Sequence, residues 1–507
     1  MPNPLYDSLL KPHENNQAVL FDNTHSVHSP GNISYAEFVE SAARCANTIC
    51  SAGLKPGDRL IAQIGKSIAS LSLYAGCVQA GVVYLPLNTA YTSSEVEYFV
   101  QDSGASLLVC SPDAAAELQS VADRCNTTLM TQADDGLSGT FIEQVNTAPN
   151  QFVTVDRQED DIAALLYTSG TTGRSKGAML TQQNLLSNAM VLQKLWAFTE
   201  NDVLLHALPV FHTHGLFVAS NVILLSGGRM LYEPGFNVDR LIDLLPHATT
   251  MMGVPTFYTR LLADDRFNQS LTKNMRLFIS GSAPLLSETH VQFEQVTGHR
   301  ILERYGMTET NMNTSNPYDG ERRAGTVGFP LPGVELKITH PDTGEIVPEG
   351  DVGLIEVKGE NVFKGYWNMP EKTAEELRDN GFFVTGDLGH IDADGYVSIV
   401  GRNKDLIISG GYNIYPKEIE LVLDEQPGVI ESAVIGVPHP DFGETVVGVI
   451  AGKEADVDMA SLSTAIEAAL ARFKHPRKLV FVDALPRNAM SKVQKNELRE
   501  QFRTLFQ

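Results

Sequence analysis

Cysteine is scarce and poorly placed for cross-linking. The five cysteines, Cys45, Cys50, Cys77, Cys110 and Cys125, all lie in the first quarter of the 507-residue chain. Their number is odd and no CxxC spacing occurs, which argues against a disulfide framework or a zinc site and leaves them as buried thiols. Long apolar runs are missing too. No stretch approaches ~18 uninterrupted apolar residues, and Met1 to Asn16 carries neither the basic nor the apolar region of a signal peptide, so a cytoplasmic protein with no membrane span is expected. The third shortage is positive charge. Lys and Arg number 38 against 61 Asp and Glu, a net charge of -23, which disfavours nucleic acid as a partner. An anionic small-molecule substrate must then find its cations locally, so the Lys and Arg residues inside motifs matter more than the total. Internal repeats and low-complexity linkers are absent, and nothing sets the oligomeric state.

One loop organises what is present. The apolar run from Ile162 to Leu166 reads as a buried strand, and it feeds Tyr167-Thr168-Ser169-Gly170-Thr171-Thr172-Gly173-Arg174-Ser175-Lys176-Gly177. Three glycines, five Ser and Thr hydroxyls, an Arg and a Lys fall within these eleven residues. Backbone N–H groups and hydroxyls can therefore converge on one polyanion while cations balance its charge. The spacing is not that of the usual P-loop, since Gly177 and Ala178 follow Lys176.

Around this loop the chain alternates helix and strand. Helical spacing from Ile33 to Gly53 turns at Leu54 to Asp58 into a strand from Arg59 to Ile64, and the alternation continues to Cys110. After the loop a helix is expected from Leu180 to Thr199. Two later strands end in small residues, at Ser280-Gly281-Ser282-Ala283 and at Arg304-Tyr305-Gly306-Met307-Thr308-Glu309, where backbone approaches a flat ligand closely. Ligands sit outside the carboxyl ends of parallel strands, so these loops and the phosphate loop can share a crevice. From Gly328 short alternating strands indicate a small β-barrel subdomain over about residues 328–401. The expected fold is α/β: a large N-terminal domain (1–401) of two mostly parallel sheets with packed helices plus that barrel, and a smaller mobile α+β domain (402–507).

Five separated motifs stand in one order: the phosphate loop; Arg304 to Glu309; Thr385-Gly386-Asp387; Gly401-Arg402-Asn403-Lys404-Asp405 running into Gly410-Gly411-Tyr412; and Pro486-Arg487-Asn488-Ala489-Met490-Ser491-Lys492-Val493. Together they resemble the adenylate-forming acyl-CoA synthetase superfamily across nearly the whole chain. The resemblance implies ATP, magnesium and coenzyme A as cofactors, and an AMP- and pyrophosphate-forming ligase that makes an acyl-adenylate and then a thioester. It implies that Thr168 to Gly173 and Lys176 hold the phosphates, that Tyr305 stacks on adenine with Ser282 and Ala283 flanking it, and that Asp387 and Arg402 meet the ribose. Glu309, beside Thr308, would hold magnesium, and Lys492 would stabilise charge built up at the α-phosphate, with acylation of Lys492 as a route to regulation. Lys404 marks the hinge, and Gly410, Gly411 and Tyr412 belong to the pantetheine tunnel. Ser491 departs from the family, where Gly usually precedes this lysine.

The substrate reading rests on Arg304. The position before the adenine-stacking Tyr lines the acyl pocket in the family and is commonly small or neutral, so a guanidinium there implies an anionic far end. His-Thr-His-Gly-Leu-Phe and Glu-Arg-Tyr-Gly-Met-Thr-Glu-Thr-Asn resemble the malonate-activating subfamily. Ser280 and His212 are then neighbouring donors, while Thr213 and Met307 limit length. Malonate, with methylmalonate as a second substrate, is the expected dicarboxylate; a broader small- or medium-chain acyl-CoA synthetase is the alternative within the class, and a non-catalytic nucleotide sensor the alternative outside it. The sensor is marked by loss of Lys492, Glu309 or Lys176, and all three are present.

Overall fold

The computed structural model describes residues 2–25, 31–168, 175–409, 412–488 and 492–506. The chain is mixed α/β and divides into two compact units, residues 1–335 with 357–383 and residues 336–356 with 384–507.

The first unit holds two large sheets. In one, the strands run Thr128–Thr131, Leu107–Cys110, Arg59–Gln63, Val83–Pro86, Ile162–Thr168 and Lys176–Thr181 in spatial order. All neighbours are parallel except the last pair, an antiparallel hairpin in which Thr168 faces Lys176. Val83–Pro86 and Leu107–Cys110, inside the parallel run, are buried throughout, as expected of strands covered on both faces, while the edge strand Thr128–Thr131 is partly exposed. Ile61, Leu85, Leu108 and Leu165 pack with Val96, Phe99 and Val100 of the helix Ser93–Ser103 in one core cluster.

The second sheet has nine strands. Its central run, Leu302–Met307, Leu277–Ser280, Thr250–Gly253, Val203–His206, Arg229–Tyr232 and Val19–Phe21, is parallel throughout, and antiparallel strands flank it on both sides. Three strands of this run therefore deliver His206, Ser280 and Met307 at their carboxyl ends. Helices return the chain between them, including Val238–Leu244, Pro255–Leu262 and Ser287–Thr297.

One expectation is corrected just after the phosphate loop. Lys176–Thr181 is a strand, and the helix runs only over Gln182–Leu195. Thr181 fixes the start, because its side chain accepts from the Asn184 N–H while Asn184 Oδ1 accepts from the Thr181 N–H. This reciprocal cap satisfies two donors that would otherwise lack partners, so the helix begins after it.

The expected β-barrel, most of whose strand residues fall in the second unit, is an open sheet. Glu335–Thr339, Gly353–Lys358, Phe383–Ile391 and Val397–Arg402 pair in that order, and no closing pair joins the first to the last among the described residues. Four short strands enclose too small an interior to be filled by side chains, so the sheet stays open. The same unit carries a second sheet dominated by the antiparallel pair Glu431–His439 and Gly443–Ala451. The helix Pro416–Asp424 buries Ile419 and Leu423 in a cluster with Val434, Val446 and Ile450.

Candidate active site

The base of the phosphate loop is well anchored, while Ser169, Gly170, Thr171, Thr172 and Gly173 lie outside the described residues. Tyr98 donates to the Ser175 carbonyl at 2.8 Å, and the Tyr167 hydroxyl donates to Asp102 at 2.5 Å. Lys176 is held by groups far away in sequence. Its Nζ lies 3.1 Å from Glu376 Oε1 and 4.1 Å from the centre of the Tyr366 ring. The Tyr366 hydroxyl lies 2.6 Å from Glu376 Oε2 and 3.0 Å from Glu309 Oε1. Burial and the two carboxylates push the Tyr366 phenol far above its ordinary range, so it stays a neutral donor. Burial works to raise the Glu376 carboxyl, but hydrogen bonds from Tyr366, Lys372 and Lys176 outweigh it and hold the group below its ordinary value. Glu309 itself is buried in the turn between Leu302–Met307 and Asn311–Ser315, with Thr308 half-buried beside it. A buried acceptor-only carboxylate at the end of a strand fits a magnesium ion that also binds phosphate oxygens.

Arg304 stands on that same strand. It is buried, and its Nε and Nη2 meet no hydrogen-bond partner among the described residues. Neither neighbouring acid is spent on it: Glu303 faces His290 at 3.3 Å, and Glu309 accepts from Tyr366. Burial pulls the Arg304 guanidinium down to about 9, with the Tyr258 phenol opposing the shift weakly. Other groups with spare hydrogen-bonding capacity lie close by in the fold. Ser280, in register with Glu303 on the adjacent strand, has a buried Oγ without a partner among the described residues. His214 is buried with an unpartnered Nε2, while its Nδ1 lies 3.3 Å from Ser282 Oγ. Burial, followed by the nearby Arg304, His212 and His206, holds the His214 imidazole well below its ordinary value, so it is neutral. Asn311 Nδ2 is likewise unpartnered, its Oδ1 accepting from Thr213 at 2.6 Å.

Backbone geometry sets these aims. Ser282 adopts a left-handed φ of 71°, which turns the chain sharply after Ser280 and Gly281; Ala283 follows as an exposed residue. Residues His214–Ser220 form a π-helical segment, a wide turn found mostly where function requires it. A Cβ on Gly215 would sit 2.1 Å from the Pro209 carbonyl oxygen, so only glycine permits this packing. Below the segment, Lys66 donates to both the His206 carbonyl, at 2.7 Å, and His206 Nδ1, at 2.9 Å. His206 Nε2 then donates to the Gly215 carbonyl at 3.0 Å. Burial holds the Lys66 amine well below its usual value against the pull of Glu233.

Tyr305 is half-buried opposite Thr314, and Met307 is half-buried opposite Asn311. His212 is half-buried and accepts from the His214 N–H at 3.3 Å. In the second unit Asp387 and Arg402 face each other across an antiparallel pair and form an ion pair of 2.9 Å. Lys404 sits in the short turn Asn403–Asp405 and is exposed by area. Crowding around its ammonium still brings it down to about 8; Asp405 opposes the shift, while Arg402, Arg499 and Lys492 add to it. Tyr412 is exposed and stacks on Phe473 with ring centres 4.6 Å apart. Gly410 and Gly411 lie outside the described residues, as does Ser491. Lys492 is exposed, its N–H donating to Asn488 Oδ1 and its carbonyl accepting from the Asn488 N–H, both at 3.0 Å.

Sequence reasoning missed His214, Asn311, Tyr366 and Glu376. The His-x-His spacing was a usable signal for His214, since residues two apart in a turn differ in burial. No local pattern marks Tyr366 or Glu376, which reach Lys176 across a separation of 200 residues for Glu376.

The sequence profile of the AMP-binding enzyme family matches residues 11–367, and that of the AMP-binding enzyme C-terminal domain matches residues 418–492. The chain belongs to the AMP-binding enzyme family. It is 37% identical to the malonate–CoA ligase of Arabidopsis thaliana, with 83% of this chain and 74% of that protein covered. It is 32% identical to a long-chain-fatty-acid–CoA ligase of Bacillus subtilis, with 99% and 97% covered. The crystal structure of ATP-bound MatB from Rhodopseudomonas palustris superimposes with a TM-score of 0.96 at 53% identity, with both chains fully covered. The chain is an acid–thiol ligase of this family.

Proposed function

We propose that this enzyme joins malonate to coenzyme A at the expense of ATP, releasing AMP and pyrophosphate, with methylmalonate as a second substrate. The observation that carries this reading is Arg304: a buried guanidinium with two N–H-bearing nitrogens unpartnered and no carboxylate beside it among the described residues. A buried charge without a counter-ion is costly, and a substrate that brings its own second carboxylate removes that cost. Ser280 Oγ and His214 Nε2 add neutral donors to the same end of the pocket. His214 suits this role better than His212, because its unpartnered nitrogen is buried. A fatty acid would leave all these groups unsatisfied.

The reacting carboxylate attacks the α-phosphorus of ATP, the bond to pyrophosphate breaks, and the thiol of coenzyme A then attacks the acyl carbon as AMP leaves. Magnesium, when bound, neutralises the triphosphate, and Glu309 is the carboxylate that would hold it. Lys176 and the phosphate loop bind the polyanion, and Tyr305 with the backbone of Ser282 and Ala283 orients the adenine. Asp387 and Arg402 are assigned to the ribose, and Lys492 to the charge that develops on the α-phosphoryl oxygens. Lys404 is assigned to the hinge between residues 1–401 and 402–507, and Gly410, Gly411 and Tyr412 to the pantetheine path.

Pyrophosphate release measured with a panel of acids tests the reading. Malonate should exceed acetate, propionate and octanoate by roughly 10⁴-fold in kcat/KM, the scale for sites built to bond a polar group. Arg304→Ala should lose malonate activity selectively while ATP binding stays nearly intact. Preference for octanoate, or retained diacid preference in Arg304→Ala, would overturn the assignment in favour of a broader acyl-CoA synthetase.

A further inference from the structure

Lys176 is already occupied. The residue that the phosphate loop offers to the triphosphate makes an ion pair with Glu376 at 3.1 Å, with the second carboxylate oxygen at 3.4 Å and the Tyr366 ring beneath the ammonium. Both partners are shielded, with side-chain exposures of 19% and 22%. Glu376 also receives Lys372 at 3.0 Å and the Tyr366 hydroxyl, and that hydroxyl reaches Glu309 on its other side. Two carboxylates, one phenol and two ammoniums thus form a single chain of contacts within the first unit.

A triphosphate entering this arrangement competes with Glu376 for Lys176. We propose that Glu376 is a resident counter-ion of the nucleotide site: it holds Lys176 in place before ATP arrives, is exchanged for the polyphosphate on binding, and so lowers ATP affinity selectively. Tyr366 makes the exchange orderly. Its single O–H lies 2.6 Å from Glu376 and 3.0 Å from Glu309 and serves one carboxylate at a time, so as Lys176 leaves Glu376 the phenol is retained there. The inference rests on ATP binding at the phosphate loop and is independent of the identity of the acid.

Calorimetric titration of the Glu376→Gln enzyme with ATP and with AMP, each with and without magnesium, tests it without any turnover. AMP lacks two of the three phosphates and should gain little from freeing Lys176. ATP should bind roughly three- to tenfold more tightly to Glu376→Gln than to the parent enzyme, the range for close charged pairs, while AMP affinity stays within about twofold. The gain should vanish when Glu376→Gln is placed in a Lys176→Ala background, which identifies the ion pair as its source. Unchanged or weakened ATP binding, equal tightening for ATP and AMP, or a gain that survives in the Lys176→Ala background would each overturn the proposal. Inactivity of the parent enzyme toward malonate, measured separately, alongside the expected ATP and AMP shifts would instead count against the substrate assignment alone.

Discussion

The guanidinium of Arg304 lies flat against the backbone of Gly281: a Cβ on that glycine would stand 2.4 Å from Arg304 Cζ and 2.5 Å from Nη1. The two residues lie on neighbouring strand ends of the nine-stranded sheet, so the place of the charge is set by the absence of a side chain opposite it. Gly281→Ala should leave the fold intact, because the obstructed group is the end of a flexible side chain, but should displace the guanidinium. The expected result is a rise of about tenfold or more in KM for the diacid, with KM for ATP within about twofold. Equal changes in both constants would show that Gly281 matters for the nucleotide instead.

Lys492→Ala should remove adenylate formation by roughly 10² to 10³ in rate while ATP binding survives, since the lysine is assigned to charge that develops only in the transition state. Thioester formation from preformed malonyl-adenylate should be much less affected. Rapid-quench measurement of the two half-reactions separates these outcomes, and a variant with normal adenylation would end the assignment.

Lys404 occupies the short turn Asn403–Asp405, where a proline fixes φ near -65° and removes an N–H. Hinge positions absorb large backbone changes, so Lys404→Pro should trap one state: adenylate forms and the thioester does not. Equal slowing of both half-reactions would place the hinge elsewhere.

Acid should destabilise the protein earlier than protonation of its carboxylates alone predicts. His13, His206, His214 and His299 are all depressed, in each case chiefly by burial. Above about pH 6.5 these imidazoles are neutral in both folded and unfolded chains; below it the unfolded chain takes up protons first, and stability falls until the folded-state values are reached. Each group contributes a slope of up to about 1.4 kcal/mol per pH unit in that window. Urea midpoints should therefore fall between pH 6.5 and 5.5, and a flat profile across that range would contradict the burial of these rings.

Much of this site is legible along the chain, for local reasons. Apolar runs that end in small or hydroxyl residues mark Ile162–Thr168 and Leu277–Ser280, the motif from Arg304 to Glu309 marks Leu302–Met307, and the helix Pro416–Asp424 follows its proline and its apolar spacing residue for residue. What escapes a sequence reading is decided by partners far away. Lys176–Thr181 contains Met179 and Leu180, which suit a helix, yet it pairs as a strand because Ile162–Thr168 offers it a ladder. The barrel expected from Gly328 onward shows alternation and turns, but strand count and closure are global properties. Arg304 is visible as an anomaly; that no carboxylate among the described residues reaches it is a fact of three dimensions.

The π-helical stretch His214–Ser220 makes the aim of His214 a matter of chain length. A wide turn holds more residues than an α-helical turn of the same rise, so removing a single residue from it would let the segment relax into ordinary α pitch. The following helix Asn221–Ser226 would keep its packing, while the residues left inside the segment would take new positions around its axis. The imidazole would then turn away from Ser282 and Arg304 with no side chain altered. The aim that the proposed role of His214 requires is thus written partly in the count of residues between two fixed points, a variable that substitution leaves untouched and a single deletion resets.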